Sequence, residues 1–130
     1  MAQRILIIDD VPDILMLATL SLEAVGFVAL TARDGQEGVE VARDQWPDLI
    51  LCDVHMPRLD GFEVLNALRL NAATAAIPVV FFTGDQSVPA RMSQLEVAPR
   101  ACLNKPFSHA ELVQTVTANI NAEPEQETPA

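Results

Sequence analysis

Five short apolar runs alternate along this chain with longer stretches whose apolar residues recur at helical spacing, and that alternation restricts the possible folds more than any other feature. The runs occupy residues 4–8, 27–30, 49–52, 79–82 and 101–103. Each has the length of a strand and is rich in Ile, Val, Leu and Phe. In the intervening stretches, Ile14, Ala18, Leu22 and Val25 share one side of a helix, as do Leu112, Val113, Val116 and Ile120. Helices are expected near 12–25, 34–45, 60–71, 87–96 and 108–121, the fourth carrying only a thin stripe of Val88, Met92 and Leu95. Pro12 falls where a first helical residue tolerates proline, and the pairs Asp34 with Glu37 and Ser108 with Glu111 have capping-box spacing. No hairpin signals join the runs, so successive strands are expected to be parallel and linked by right-handed crossovers, with helices covering both faces of the sheet. The expected fold is α/β, a doubly wound five-stranded parallel sheet with five helices.

A chain of 130 residues, half of them apolar, can bury such a core as one domain without disulfides or metal. Residues 1–121 are expected to form it. Residues 122–130 carry no bulky apolar group and are expected to be a disordered tail. Eight Lys and Arg against 18 Asp and Glu give a net charge of −10. That charge repels phosphate backbones and anionic lipid, so neither nucleic acid nor a membrane is an expected partner. No apolar run approaches the roughly 18 residues of a membrane span, and the first run meets two aspartates before a signal-peptide core can form. A soluble, cytoplasmic protein is expected. Cys52 and Cys102 lie in separate apolar runs without C-x-x-C or metal-ligand spacing and are read as buried thiols.

In an open parallel sheet, functional groups gather just past the carboxyl ends of the strands. Asp9 and Asp10 follow the first run directly and Asp53 follows the third. Three carboxylates converging there would raise one another's pKa unless a cation intervened, and an all-oxygen donor set suits a hard octahedral ion such as Mg2+. An Asp-Asp pair by itself is more often a turn or a helix cap. Here Thr83-Gly84-Asp85 follows the fourth run and Asn104-Lys105-Pro106-Phe107 the fifth, adding a hydroxyl and a cation to the same edge.

These residues resemble the receiver domain of two-component response regulators over essentially the whole chain apart from the tail. Ile5-Leu6-Ile7-Ile8-Asp9-Asp10 is similar to the family's first strand and acidic pair, and the segment 47–62, with Asp53 at its centre, to its phosphoacceptor region. Thr83 and Lys105-Pro106-Phe107 stand at the remaining signature places. The resemblance implies a flavodoxin-like strand order, 2-1-3-4-5. It implies that Asp53 takes a phosphoryl group from a sensor histidine kinase or a histidine phosphotransfer protein, with Lys105 supporting the charge and Thr83 turning toward the phosphoryl group. It also implies that Mg2+ is held by Asp10, Asp53 and the backbone carbonyl of His55, with Asp9 acting largely through water, and that the Lys105–Pro106 peptide is cis. Gly61 would ease the turn into the third helix. Such a domain catalyses its own phosphorylation and dephosphorylation without being a conventional turnover enzyme, and signals to a downstream protein target.

Two departures matter. Cys102 stands three residues before Lys105, where the family usually places the aromatic residue of its switch, and Ala98-Pro99 replaces the usual Gly-Ala upstream. Phosphorylation is expected, and these departures bear instead on the usual movement of the face formed by the fourth helix, fifth strand and fifth helix. The resemblance also implies that the positions two beyond Asp53 and two beyond Thr83, here His55 and Asp85, flank the water that hydrolyses the phosphoryl group. Three competing readings are weaker. A flavodoxin-like binding module would need a phosphate-cradling loop after the first run, where two aspartates stand instead. A dehalogenase-type phosphatase would need its nucleophile there in a D-x-D arrangement. A degenerate receiver acting as a phosphorylation-independent scaffold does not account for the set Asp9, Asp10, Asp53, Thr83 and Lys105.

Overall fold

A computed structural model describes residues 2–120. The expected tail, 122–130, lies outside the described residues. The elements run in strict alternation: β1 (Arg4–Ile8), α1 (Pro12–Glu23), β2 (Val28–Ala32), α2 (Gly35–Gln45), β3 (Leu49–Asp53), α3 (Gly61–Leu70), β4 (Val79–Thr83), α4 (Val88–Met92), β5 (Ala101–Asn104) and α5 (His109–Ile120). The five strands form one sheet in the order β2-β1-β3-β4-β5, every pairing parallel. The expected architecture and strand order are those observed. No helix among the described residues is long and apolar enough to cross a membrane.

Alternation within the strands divides the core in two. Leu6, Ile8, Ile50, Cys52, Val79 and Phe81 project to one side, where Ala42 of α2, Val64, Leu65 and Leu68 of α3 and Val88 of α4 cover them. Ile5, Ile7, Leu49, Leu51, Val80 and Phe82 project to the other, against Leu15, Ala18 and Leu22 of α1 and Leu112, Val116 and Ile120 of α5. Successive side chains of a strand point to opposite faces, so β3 and β4, covered on both sides, are buried along their whole length and read as unbroken apolar runs.

The departures from expectation are local. β2 begins at Val28 and runs to Ala32, one residue beyond the start of the expected run and two beyond its end. The Phe27 side chain packs into the core from the turn before it. As an edge strand, β2 is covered only partly and alternates less clearly. Val25, assigned to the inner face of the first helix, lies past its end and is 47% exposed. α4 is a single five-residue stretch, Val88–Met92, where ten residues were expected. Met92 and Val97 still pack on the core, but the segment after Met92 follows turns.

Helix starts follow the expected chemistry with one substitution and one addition. Pro12 opens α1, and Ser108 and Glu111 form a reciprocal pair at the start of α5, at 3.0 and 2.8 Å. Asp34 accepts from the Glu37 N–H at 2.8 Å, but Glu37 turns back to the Arg33 N–H rather than to Asp34. A complete capping box that the sequence reading passed over joins Asp60 and Glu63, both bonds at 2.9 Å. At the far end of α2, Trp46 takes a left-handed conformation, φ 49°, with its side chain 65% exposed. Its carbonyl accepts from Arg4 at the start of β1.

Gly61 is needed for a reason other than the one expected. A Cβ there would stand 2.7 Å from the Asp53 carbonyl oxygen and 2.8 Å from the Val54 Cα, while its N–H donates to the Val54 carbonyl at 2.8 Å. The first turn of α3 is thus laid against the backbone that carries Asp53, and only a residue without a side chain permits the approach. Gly61→Ala is expected to lower the unfolding free energy by about 1–3 kcal/mol through overpacking, and Asp60→Ala by about 1 kcal/mol through the lost cap, both measured by urea denaturation.

Candidate functional site

The carboxyl ends of β1, β3, β4 and β5 bring Asp9, Asp10, Asp53, Thr83 and Lys105 to one edge of the sheet. Each is the last residue of its strand or follows within two residues. Asp9 is wholly buried, Asp53 is 5% exposed and Thr83 2% exposed, whereas Asp10 faces solvent. Carboxylate oxygens of Asp9, Asp10 and Asp53 lie within 4.8 Å of one another.

Lys105 reaches back into this cluster across the Lys105–Pro106 peptide, which is cis. Its Nζ donates to Asp9 Oδ2 at 2.8 Å and lies 3.3 Å from Asp53 Oδ1. The second oxygen of Asp9 accepts the Val11 N–H at 2.8 Å, so the buried carboxylate has a partner on each oxygen, as a charge removed from water requires. Asp53 is less well compensated. Burial, reinforced by the neighbouring Asp9, pushes its carboxyl above the ordinary range, against the pull of Lys105. The adjoining Cys52 thiol, also buried, is raised by the same desolvation and by the charges of Asp53 and Asp9. It stays protonated and donates to the Asp53 carbonyl. Cys52 is thus the buried thiol expected, while Cys102 is only half-buried.

Thr83 Oγ1 accepts the Asp85 N–H at 3.0 Å. The His55 imidazole pairs with Asp85 through Nε2 at 2.6 Å. Asp85 Oδ1 also accepts from the Ser87 N–H and hydroxyl. These bonds from Ser87, with that from His55, hold the Asp85 carboxyl down to about 2. With Asp85 ionised, the ring nitrogen of His55 is the donor in their contact. The sequence marked His55 and Asp85 by position but not as partners, since 30 residues separate them in the chain. Ser87 and Phe82, whose ring lies beneath Lys105, were not marked at all; the D-x-S spacing of Asp85 and Ser87 was the available signal for the first.

A cluster of three oxygen donors beside one ammonium, with acids supplied by adjacent strands, fits a divalent cation and an anionic group together. The family profile "Response regulator receiver domain" matches residues 5–117. The chain belongs to that family. Among curated relatives, this receiver domain is 36% identical over 115 residues to protein PilH of Pseudomonas aeruginosa, covering 88% of this chain and 95% of PilH. It is 40% identical over 115 residues to the transcriptional regulatory protein PrrA of Mycobacterium tuberculosis, covering 88% of this chain but 48% of PrrA, about half its length. Among solved structures, the receiver superposes on the chemotaxis protein CheY4 of Vibrio cholerae with a TM-score of 0.84 at 28% identity, covering 91% of this chain and 98% of that one. It superposes equally, at 0.84 and 27% identity, on the receiver domain of the sensor histidine kinase PA1611 of P. aeruginosa, covering 94% of this chain and 100% of that one. The PA1611 structure has a magnesium ion coordinated in its active-site cleft.

The direction of the Asp53 shift fixes the sign of a pH effect. Between the ordinary carboxylate value near 4 and its own higher value, Asp53 binds more proton in the folded than in the unfolded chain, so its contribution to stability falls as pH rises through that window. Asp53→Asn is therefore expected to raise the thermal midpoint at pH 7 in chelator-treated buffer and to lose that advantage below about pH 4, as followed by circular dichroism.

Proposed function

We propose that this receiver domain is a phosphoaccepting switch in which Asp53 takes the phosphoryl group. The observation that carries the reading is the meeting of Asp9, Asp10 and Asp53 within 4.8 Å of one another with the Lys105 ammonium between two of them. A Lys at that junction is not explained by solvation, and a buried acid of raised pKa is costly unless the site uses it.

In this reading the phosphoryl donor is a phosphohistidine of a sensor histidine kinase or a histidine phosphotransfer protein. A carboxylate oxygen of Asp53 attacks phosphorus, the P–N bond breaks, and the departing imidazole takes a proton as the acyl phosphate forms. Asp10, Asp53 and the His55 backbone carbonyl would hold Mg2+, whose chemistry is to neutralise the phosphoryl oxygens. Asp9 orients Lys105 directly and would reach the metal largely through water. Lys105 supplies a preorganised positive charge for an equatorial oxygen. The Thr83 hydroxyl, once turned from the Asp85 N–H, donates to another.

A hydrogen bond to a charged acceptor contributes roughly 1.5–3 kcal/mol, whereas moving a population from 1:99 to 99:1 takes about 5.5 kcal/mol. Thr83 alone is insufficient as a switch, and Lys105, the metal and the loop after β4 must supply the remainder. The output is a contact with a downstream protein target in the cytoplasm or transfer to a further histidine. With a net charge of −10, the domain itself is not expected to bind nucleic acid. The phosphorylation-independent scaffold is the second reading, and the complete acid and lysine set weighs against it.

Incubation with acetyl phosphate and Mg2+ is expected to add one phosphoryl group to the wild-type protein by intact mass, none to Asp53→Asn, and none to either after EDTA treatment. Equal labelling of both proteins would move the acceptor to another residue. His55→Ala and Asp85→Ala are each expected to change the dephosphorylation rate by about twofold or more. The double variant should change it by no more than the larger single effect, because the two side chains act as a bonded pair. Rates unchanged in both single variants would remove these residues from the hydrolytic step.

A further inference from the structure

The Lys105 ammonium has a third neighbour besides the two carboxylates. Its Nζ lies 4.8 Å from the centroid of the Phe82 ring, within the range at which a cation is drawn to the negative face of an aromatic ring. Phe82 is fully buried, and in the sheet it is paired with Asp53 on one side and Leu103 on the other. Register partners of a parallel sheet project to the same face, so the ring and the Asp53 carboxyl leave the sheet side by side. The ring also meets Phe107, two residues beyond Lys105, with centroids 6.0 Å apart and planes tilted by 45°. Strand pairing and Phe107 together fix its orientation.

We infer that Phe82 is a positioning residue for Lys105, holding the ammonium at the junction of Asp9 and Asp53 by the attraction of its ring face. The inference rests on the reading of Asp53 as phosphoacceptor. A lysine side chain is long and flexible, and an ammonium is a compact point charge with three rotatable donors. Its contact with Asp9 is the shorter, 2.8 against 3.3 Å. When the Asp53 oxygen is phosphorylated, Asp9 competes with the phosphoryl oxygens for the ammonium. A ring face opposes this differently from another polar group. It attracts the charge without fixing an N–H direction, so a proton of Lys105 stays available to the arriving oxygen. An aliphatic side chain at position 82 would fill the same space and offer no such field.

The test replaces Phe82 site-specifically with mono-, di- and trifluorinated phenylalanine, which weakens the ring's negative face at nearly constant shape, and adds Phe82→Leu. Phosphorylation by acetyl phosphate at saturating Mg2+ is expected to slow in step with fluorination, reaching about five- to thirtyfold in the trifluoro and leucine proteins. A flat series with full final labelling overturns the proposal, and the fluorinated proteins decide it if Phe82→Leu does not fold. A second readout needs neither donor nor metal. The Lys105 ε-methylene protons of the wild type should carry an upfield ring-current shift that Phe82→Leu abolishes, and their absence from shifted positions in the folded wild type also overturns the proposal. If the wild type takes no phosphoryl group, the acceptor reading fails by itself, and the ring-current shift still decides whether Phe82 holds Lys105.

Discussion

Lys105 and Asp9 form an ion pair at 2.8 Å in which the carboxylate is cut off from water and the ammonium side chain is one-fifth exposed. A carboxylate so placed is tolerable only with its charge matched and both oxygens engaged, and the two partners come from opposite ends of the chain, 96 residues apart. The rest of the edge is arranged around this pair. β1 must lie next to β3 for Asp53 to reach the same ammonium, and β4 and β5 must follow in order for the lysine to arrive from the far side. Parallel pairing puts all four carboxyl ends on one edge, which an antiparallel arrangement of the same strands would not do.

The local price of this convergence is visible in the backbone and in the proton affinities. α3 begins so close to the Asp53 carbonyl that position 61 has no room for a side chain. Asp53 is left with one shared cation against burial and Asp9, and its carboxyl is pushed up. Asp85, just past the end of β4, goes the other way, because Ser87 and His55 both donate to it. The acids of this edge are thus separated into a destabilised one at the centre and a stabilised one at its rim, which is the division of roles that burial and hydrogen bonding impose on identical side chains.

Much of this was readable from the residues because the physics involved is local or periodic. Apolar runs of strand length at regular intervals specify a parallel sheet, and a polar residue directly after a run must stand near its carboxyl end; Asp9 and Asp53 were placed by that rule, and Lys105, one residue further on, by its extension. What escaped depends on distances that a linear pattern does not encode. That Phe82 serves both the core and Lys105 is invisible, since any large apolar residue would fit a buried strand. The bond between His55 and Asp85 joins the loops that leave the neighbouring strands β3 and β4, a strand order that no local spacing encodes. Asp60 with Glu63 is a different case, for its spacing matched the two pairs that were recognised. The shortened α4 reflects a weak signal: Val88, Met92 and Leu95 recur at helical spacing, but three residues are too few to hold a helix of the expected length.

Trp46 stands at the end of α2, before β3 begins, and the chain has one tryptophan and no tyrosine. The whole length of β3 therefore separates its indole from Asp53, and most of that indole is already in water. Emission from the native chromophore will report the exposed corner where it sits and remain nearly blind to ions or phosphoryl groups arriving at the opposite edge. An optical sensor for events there has to be introduced, and the half-buried Phe62, beside Gly61 at the head of α3, is a natural position for a second indole.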